Sequence, residues 1–310
     1  MAAWRPTQTA RRGVILALGT AAISGLSVYI NAFGVRLVPD AAVYTTAKNG
    51  VAAIILIALA LALGAGRQVR YLDRRSRAGL VAIAVVGGSV PFLLFFSGLA
   101  LATAPTAAFI HKTLFIWVAL LAMPLLGERA GMIQVGALGV LLAGQVLVAP
   151  PTGIGWGAGE AMIAGATLLW AVEVILAKRL LVGVSPPLLG AARMGLGLVV
   201  LIGYLAVTGR LGGLGTLGGE ALLWIFVTGA MLAGYVTTWF HALRLAPATT
   251  VTSILVVGAV GTGLLSSFAS GTAPDPRVVL GYLLIVVAVA VVALSASRPQ
   301  SPRSHVYADG

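Results

Sequence analysis

The stretch ALATAP at residues 100–105 aligns without a gap on ALRLAP at residues 242–247. A long apolar stretch precedes each copy, and another follows it. In both copies the proline falls in the first turn of the following stretch, where a helix needs no backbone N–H and tolerates the fixed φ of proline. Each copy therefore predicts a tight connection between two apolar helices.

Two further matches occur in the same order along the chain. KNGV at residues 48–51 aligns on RMGL at residues 193–196, and Gly136 aligns on Gly281. The offset between the copies is nearly constant, which indicates an internal repeat. We predict a first unit at residues 13–149 and a second unit at residues 150–296.

Each unit contains five apolar stretches of about 20 residues, the length that a helix needs to cross a hydrocarbon core about 30 Å thick. Their hydrophobicity does not alternate residue by residue, which argues against a β-barrel. Because five is odd, the second unit must enter the membrane upside down relative to the first. We predict an all-α integral membrane protein with ten transmembrane helices in two inverted five-helix repeats, an arrangement found in secondary transporters. The predicted spans are residues 13–35, 41–65, 78–100, 104–126, 130–149, 156–178, 187–208, 220–243, 247–269 and 277–296.

The composition agrees with a membrane protein. Of the 310 residues, 59% are hydrophobic and 9% are charged, and the mean hydropathy is +1.04. Soluble domains carry about 25% charged residues. No segment between spans is long enough for a soluble domain, so we expect only a cytoplasmic N-terminus at residues 1–12 and a disordered cytoplasmic tail at residues 297–310.

The net charge of +12 predicts the orientation of the chain. Loops on one side of the predicted membrane, with both termini, hold fourteen Lys and Arg residues, whereas the other side holds three and the spans hold three. Basic residues concentrate in cytoplasmic loops, so we predict that both termini are cytoplasmic and that the charge does not serve nucleic acid binding. The fourteen are Arg5, Arg11, Arg12, Arg67, Arg70, Arg74, Arg75, Arg77, Arg129, Lys178, Arg179, Arg244, Arg298 and Arg303, and the three on the other side are Arg36, Arg210 and Arg277.

The residue inventory argues against several function classes. The chain has no cysteine, which excludes disulfides and thiolate metal sites. It lacks the G-x-x-x-x-G-K-[ST] loop of ATPases and the His-Glu-x-x-His or paired-Asp patterns of intramembrane proteases. An intramembrane enzyme is a remote alternative, and no filter-like sequence indicates a channel. We expect no enzyme activity, no cofactor and no metal.

Several features resemble the drug/metabolite transporter (DMT) superfamily and, within it, the EamA-type ten-helix exporters. The resemblance runs from about residue 13 to residue 296. The chain departs from the family pattern at Ser24, where Trp is frequent, at Lys48, where Arg is frequent, and after span 9, where no glutamate follows. The matching features are Ile23-Ser24-Gly25 in span 1, the cations Lys48 and Arg193, the two ALATAP-like connections, Leu126-Gly127-Glu128 after span 4, and Leu168-Leu169-Trp170-Ala171 in span 6.

The resemblance implies export of amino acids or other small metabolites across a bacterial inner membrane. YddG-like exporters of aromatic and other neutral amino acids have this size and helix count. We therefore expect a secondary carrier that works by alternating access, with a small-molecule substrate and the lipid bilayer as partners, as a monomer or weak homodimer. The alternative is an efflux carrier for hydrophobic or cationic drugs, with Glu173 as its cation site.

Ionisable groups inside spans are costly and therefore mark candidate sites. Lys48 and Arg193 each lie about two turns from a helix end, so snorkelling to the headgroups is as reasonable a role for them as substrate binding. His111 and Lys112 lie about two turns into span 4 and project about 100° apart, so that one of them can face a transport pathway. Lysine would hold a substrate carboxylate, and histidine would donate a hydrogen bond.

Glu173 is the carboxylate that lies well inside a predicted span, and its neighbours Lys178 and Arg179 lie off its helix face. We expect a partner from another helix, either Arg193 or Lys48. A structural ion pair and a carboxylate that binds a proton or an amine remain open. Trp170 precedes Glu173 by three residues and shares its face.

Aromatic residues accompany two other candidate positions. Tyr44 and Lys48 stand four residues apart on span 2, so they share a face. Trp239, Phe240 and His241 lie near the end of span 8, where an interfacial aromatic belt is the alternative to a substrate contact. The full candidate set is Tyr44, Lys48, His111, Lys112, Trp170, Glu173, Arg193 and His241.

Glycine and proline predict how the helices pack. Gly229 and Ala233, and likewise Gly139 and Ala143, form small-xxx-small pairs that allow close helix approach. Pro91, which follows Gly87-Gly88 in the middle of span 3, should kink that helix and free a backbone carbonyl.

Overall fold

A computed structural model describes residues 8–150 and 157–296 of the chain. In these residues the protein is helical throughout, with no strand, and forms a ten-helix membrane bundle. The predicted segment 1–12 lies mostly outside the described residues, and the predicted tail at residues 297–310 lies wholly outside them.

The helices follow the ten predicted spans, but three spans consist of two helical segments each. Span 5 is 17 residues long, which corresponds to about 25 Å. The spans are Gln8–Gly34 (span 1), Ala41–Ala62 (2), Arg74–Val86 with Val90–Leu99 (3), Ala104–Lys112 with Leu114–Leu126 (4), Met132–Val148 (5), Ala158–Leu180 (6), Pro186–Val207 (7), Gly219–Leu245 (8), Ala248–Leu255 with Gly258–Ser270 (9) and Pro276–Ala296 (10). Short helices at Val35–Leu37, Ala65–Tyr71 and Gly212–Gly215 lie between them.

The packing of the spans follows the internal repeat. Span 1 packs on spans 8 and 9, and its counterpart, span 6, packs on spans 3 and 4. Span 2 packs on its counterpart span 7, and span 5 packs on its counterpart span 10. Each contact that a span of one unit makes is thus repeated by the equivalent spans, as expected for a pseudo-two-fold axis that relates the two five-helix units.

Glycines lie where helices cross closely. In lipid, no hydrophobic driving force brings helices together, so their association depends on close packing at small residues. A Cβ on Gly144 would lie 2.9 Å from the carbonyl oxygen of Gly281, where spans 5 and 10 cross. A Cβ on Gly25 would lie 2.6 Å from the carbonyl oxygen of Gly258, where spans 1 and 9 cross. The prediction for Gly139 and Ala143 is wrong, because both are exposed and nothing lies within 4 Å of a Cβ on Gly139.

Span 3 breaks where the sequence predicts a kink, although the break begins before the proline. The first segment ends at Val86, and Pro91 lies in the first turn of the second segment, Val90–Leu99. Ser89 spans the break, and its hydroxyl donates to the carbonyl oxygen of Ala84 at 2.9 Å. The break places Gly87 and Gly88 within the bundle, where the candidate site lies.

The face that carries the loops after spans 2, 4, 6 and 8 is called the basic face, and it is closed by contacts between spans. Glu128, in the loop after span 4, accepts from the backbone N–H groups of Ala248 at 2.6 Å and Thr249 at 3.0 Å. The hydroxyl of Thr249 also donates to Glu128, at 2.8 Å. A carboxylate is stabilised at a helix N-terminus, so Glu128 holds the start of span 9 against span 4.

Lys178, in the last turn of span 6, makes the complementary contact at the same face. Its ammonium donates to the carbonyl oxygens of Leu243 at 2.5 Å and Ala246 at 2.6 Å, at the end of span 8. Arg179 donates to the carbonyl oxygen of Leu125 at 2.7 Å. Cations are favoured at helix C-termini, and these contacts join spans 4, 6, 8 and 9.

The opposite face is open. A cavity of about 560 Å³ lies there between the start of span 2, the end of span 3 and Arg210. A second cavity, of about 310 Å³, lies between spans 1 and 9. The ion pair between Arg210 and Asp40 at this face is exposed and 3.5 Å long.

Candidate functional site

The centre of the bundle contains an ion pair between Glu173 of span 6 and Arg193 of span 7. The guanidinium of Arg193 donates through Nε to Oε1 at 2.6 Å and through Nη2 to Oε2 at 3.1 Å. Glu173 is 2% exposed and Arg193 is 5% exposed. Arg193 therefore does not snorkel, and of the two partners predicted for Glu173 the structure selects Arg193.

The break in span 3 makes room for this pair. A Cβ on Gly87 would collide with the carboxyl group of Glu173, and a Cβ on Gly88 would collide with the backbone carbonyl of Arg193. A Cβ on Gly197 would lie 2.8 Å from the carbonyl oxygen of Gly88. The glycines at the break let spans 3, 6 and 7 meet around the charged groups.

Trp170 joins the same arrangement. Its indole Nε1 donates to the carbonyl oxygen of Gly87 at 3.3 Å. Pro91 has no N–H to reach the carbonyl four residues before it, so the freed carbonyl that the sequence predicts is that of Gly87. Trp170 and Glu173 thus both contact the broken part of span 3, as their shared helix face predicts.

An aromatic cluster lies beside the ion pair. Ring centroids of Phe92 and Phe95 lie 5.4 Å and 5.6 Å from that of Trp170. His111 of span 4 lies 5.0 Å from Trp170 and 5.1 Å from Phe95. The guanidinium carbon of Arg193 lies 5.7 Å from the centroid of Phe92, within cation–π range. We call Phe92, Phe95, His111 and Trp170 the aromatic cluster.

Lys48 lies on span 2, in an environment that differs from that of Arg193. It is 5% exposed, and its ammonium lies 5.2 Å from the centroid of the Phe96 ring and 5.6 Å from that of Tyr44. Its hydrogen bond to Oδ1 of Asn31 is long, at 3.4 Å. No carboxylate in residues 8–150 or 157–296 pairs with it. The burial excludes snorkelling for Lys48 as well.

A polar network fixes the neighbours of Lys48. The hydroxyl of Tyr44 donates to Oδ1 of Asn31 at 2.9 Å and lies 3.1 Å from the hydroxyl of Thr228 on span 8. A Cβ on Gly229 would lie 2.8 Å from the backbone carbonyl of Lys48. Span 8 therefore approaches span 2 closely at the position of the cation, through Gly229 of the predicted Gly229–Ala233 pair.

Two further polar side chains of span 2 are buried without a partner in the described part of the chain. They are the hydroxyl of Thr45 and both amide atoms of Asn49, and each residue is 0% exposed. Buried polar groups normally have partners. Thr45, Phe92 and Phe96 also line the 560 Å³ cavity that lies at the opposite face.

The structure brings together most of the predicted site residues. Glu173, Arg193, Trp170 and His111 share contacts through span 3. The ammonium of Lys48 lies near Phe96 of the same span and near Tyr44 of its own helix. Lys112 follows His111, is half-buried, and has no hydrogen bond within the described ranges.

His241 lies apart from these residues. Its Nδ1 is 2.7 Å from the carbonyl oxygen of Thr237 on its own helix. The interfacial belt, which was one of the two alternatives for Trp239 and Phe240, is wrong, because Trp239 is 4% exposed and Phe240 is 0% exposed, both inside the hydrophobic core.

The sequence reasoning missed Phe92, Phe95 and Phe96. Phe95 and Phe96 follow Phe92 by three and four residues, which places them beside Phe92 on a helix surface, and that spacing is the signal that was available. It also missed Asn31, whose role depends on contacts between spans 1 and 2. The residues described hold no cluster of three or more His, Asp or Glu side chains suited to a metal ion.

Comparisons with known proteins agree with this architecture. A profile of the EamA-like transporter family matches residues 11–149 and, separately, residues 157–294. A crystal structure of another protein superposes with a TM-score of 0.77 at 19% sequence identity, over 93% of this chain and 99% of that chain. At this identity the second likeness concerns the fold alone. No curated protein matches the sequence.

Proposed function

Because this chain belongs to the EamA-like transporter family, we propose that it exports small metabolites, foremost neutral and aromatic amino acids, across the inner membrane of a bacterial cell. The family makes the chain a membrane transporter of small molecules. The finer assignment rests on one observation: the aromatic cluster lies beside the ion pair of Glu173 with Arg193, and the same segment of span 3 carries Phe96, which lies beside the ammonium of Lys48.

The aromatic cluster suits an apolar or aromatic side chain. Its rings lie at centroid distances of 5.0 to 5.6 Å from their neighbours in the cluster. An aromatic substrate placed against them would gain a stacking or edge contact, worth about 0.5–1.5 kcal/mol per pair beyond the burial of area. The charged groups on both sides would orient the polar end of an amino acid. Ligand sites of this kind combine an apolar lining with a few placed polar groups.

Alternating access supplies the transport mechanism in this proposal. The contacts of Glu128 and Lys178 close the basic face, while cavities of about 560 Å³ and 310 Å³ lie at the opposite face. Two inverted units can exchange these conformations by a rocking movement around the centre. Without an ATP-binding loop, the driving force comes from a gradient of the substrate or of an ion.

The same geometry weighs against the efflux of cationic drugs. That alternative assigns cation binding to Glu173, but both carboxylate oxygens of Glu173 already accept hydrogen bonds from Arg193, at 2.6 Å and 3.1 Å. A cationic substrate would have to displace a buried guanidinium. We therefore place the amino acid assignment first.

Counterflow in proteoliposomes tests the proposal. Vesicles preloaded with unlabelled phenylalanine should accumulate labelled phenylalanine transiently and with saturation, and protein-free vesicles should not. Trp170→Ala should reduce this flux at least tenfold. Trp117→Ala is the matched control, because Trp117 is 39% exposed on span 4 and lies outside the aromatic cluster. Accumulation of tetraphenylphosphonium without any counterflow of amino acids would contradict the proposal.

A further inference from the structure

We propose that Lys48 binds the substrate carboxylate, and that the protein therefore recognises its substrate as an apolar carboxylate whose ammonium group is not required. This inference rests on the proposed function and names the chemical class that its site selects. It predicts that an amino acid and the corresponding acid without the amino group bind alike, whereas the corresponding amine does not bind.

The charge of Lys48 has no anionic partner among the described residues. Lys48 is 5% exposed and has a single hydrogen bond of 3.4 Å, to the amide oxygen of Asn31. Burial of an ammonium without an anionic partner is strongly unfavourable. Arg193, at the equivalent position of the second repeat, is as buried but has its carboxylate within the protein. Of these two equivalent cations, Lys48 is the one whose anion must come from outside the protein.

Two buried polar side chains without partners lie on the same helix as Lys48. The hydroxyl of Thr45 and the amide of Asn49 are buried and lack partners in the described part of the chain. Thr45 precedes Lys48 by three residues and Asn49 follows it directly, so all three lie on neighbouring parts of the span 2 surface. A hydroxyl and an amide N–H are donors that can complete the shell of a carboxylate held by an ammonium.

The cavity at the opposite face reaches the surroundings of Lys48. Thr45 and Phe96 line this cavity of about 560 Å³. Phe96 also lies 5.2 Å from the ammonium of Lys48, so the cation lies next to a residue of the cavity wall. Phe92, which lines the same cavity, belongs to the aromatic cluster. A carboxylate at Lys48 would therefore leave its apolar tail beside these rings.

The ammonium group of an amino acid finds no free carboxylate at this site. Arg193 engages both oxygens of Glu173, at 2.6 Å and 3.1 Å. No other carboxylate in residues 8–150 or 157–296 contacts the aromatic cluster, so an ammonium finds only ring faces and neutral oxygens there. The carboxylate end of the substrate, and not its amino end, carries the specificity.

The test measures binding of three matched ligands to the purified full chain by calorimetry. The ligands are phenylalanine, 3-phenylpropionate and 2-phenylethylamine, which share a ring and differ in their charged groups. We expect the first two to bind within about fivefold of each other and the amine to bind at least tenfold more weakly. Loss of a charge-assisted hydrogen bond corresponds to a change of about ten- to hundredfold.

Variants locate the binding group. Lys48→Met should weaken 3-phenylpropionate at least tenfold, and Lys48→Arg should restore part of the affinity. Arg277→Gln is the matched control, because it removes an exposed cation on the same side of the bundle without touching the cavity. It should leave binding unchanged.

Each outcome bears on one of the two proposals. Equal binding of the amine and the acid, or wild-type affinity of Lys48→Met for the acid, would overturn the carboxylate site. A chain that binds and transports none of the three ligands would overturn the proposed function instead. If Lys48→Met fails to fold, the relative affinities of the wild-type protein for the three ligands still test the carboxylate site.

Discussion

Lys48 and Arg193 occupy equivalent positions in the two repeats, yet their surroundings differ in one essential respect. Each is 5% exposed and lies beside a phenylalanine ring. A glycine lets the crossing helix approach the backbone carbonyl of each cation, Gly229 at Lys48 and Gly88 at Arg193. Arg193 has Glu173 as a partner, and Lys48 has no carboxylate in the described residues. The repeats agree in their scaffold and differ in their charge balance.

The origin of this difference lies in the helices that face the two cations. Span 6 contributes Glu173 to Arg193, whereas span 1, its counterpart, contains no Asp or Glu between Gln8 and Gly34. Span 1 offers Asn31, a neutral group, to Lys48. The ion pair in the second repeat is therefore neutral as a whole, whereas Lys48 in the first repeat has no carboxylate partner in the described residues.

The largest expected effect comes from breaking the ion pair. Glu173→Ala leaves a buried guanidinium unpaired, and we expect it to lower the free energy of unfolding by about 3–5 kcal/mol. Denaturation of the purified protein in detergent measures this loss. The double variant Glu173→Met with Arg193→Met should recover most of it, since apolar replacement of a whole buried pair is often neutral. A loss below about 1 kcal/mol in the single variant would contradict a structural role for the pair.

A smaller effect should come from the glycine crossings. Gly88→Ala places a methyl group against the carbonyl of Arg193, and we expect a loss of about 1–3 kcal/mol from overpacking. Gly229→Ala should cost a similar amount, since its Cβ would lie 2.8 Å from the carbonyl of Lys48. Gly139→Ala is the control, because that position is open and helical, and it should be neutral or stabilising. Equal losses of stability at all three positions would contradict the close approach of the crossing helices at Gly88 and Gly229.

The contrast between the two faces predicts a third effect. Glu128→Ala removes the acceptor for two N–H groups at the start of span 9, and loss of a helix cap costs about 0.5–2 kcal/mol. Because the basic face should then open more often, a cysteine placed at Ala246 in this cysteine-free chain should react faster with a thiol reagent. Glu220→Ala, at the start of span 8, is the control. An unchanged labelling rate would show that Glu128 does not hold this face closed.

The sequence predicts the ten-helix scaffold well because length and hydropathy determine it locally. The ALATAP repeat also predicts the equivalence of the two halves. Part of the site follows by the same logic: Pro91 must free a carbonyl, and Glu173 needs a partner from another helix. These predictions rest on constraints that each residue imposes by itself.

The remaining part depends on which helix faces which. The role of Asn31 and the contact of Glu128 with span 9 arise between residues far apart in sequence. Position near a helix end suggested a lipid-facing belt for Trp239 and Phe240, but both face the core, since depth in the membrane does not fix the direction of a side chain. Snorkelling of Lys48 and Arg193 was open for the same reason.

One measurement tests the central claim that Arg193 serves the structure and Lys48 serves the ligand. It compares the thermal unfolding midpoints of wild type, Lys48→Met and Arg193→Met, each with and without 3-phenylpropionate. We predict that Arg193→Met lowers the ligand-free midpoint, because Glu173 is left unpaired. Lys48→Met should keep or raise the ligand-free midpoint but lose the increase that the ligand gives to wild type. A ligand-free midpoint for Lys48→Met that falls as far as that of Arg193→Met, with the ligand-dependent increase retained, would contradict the account.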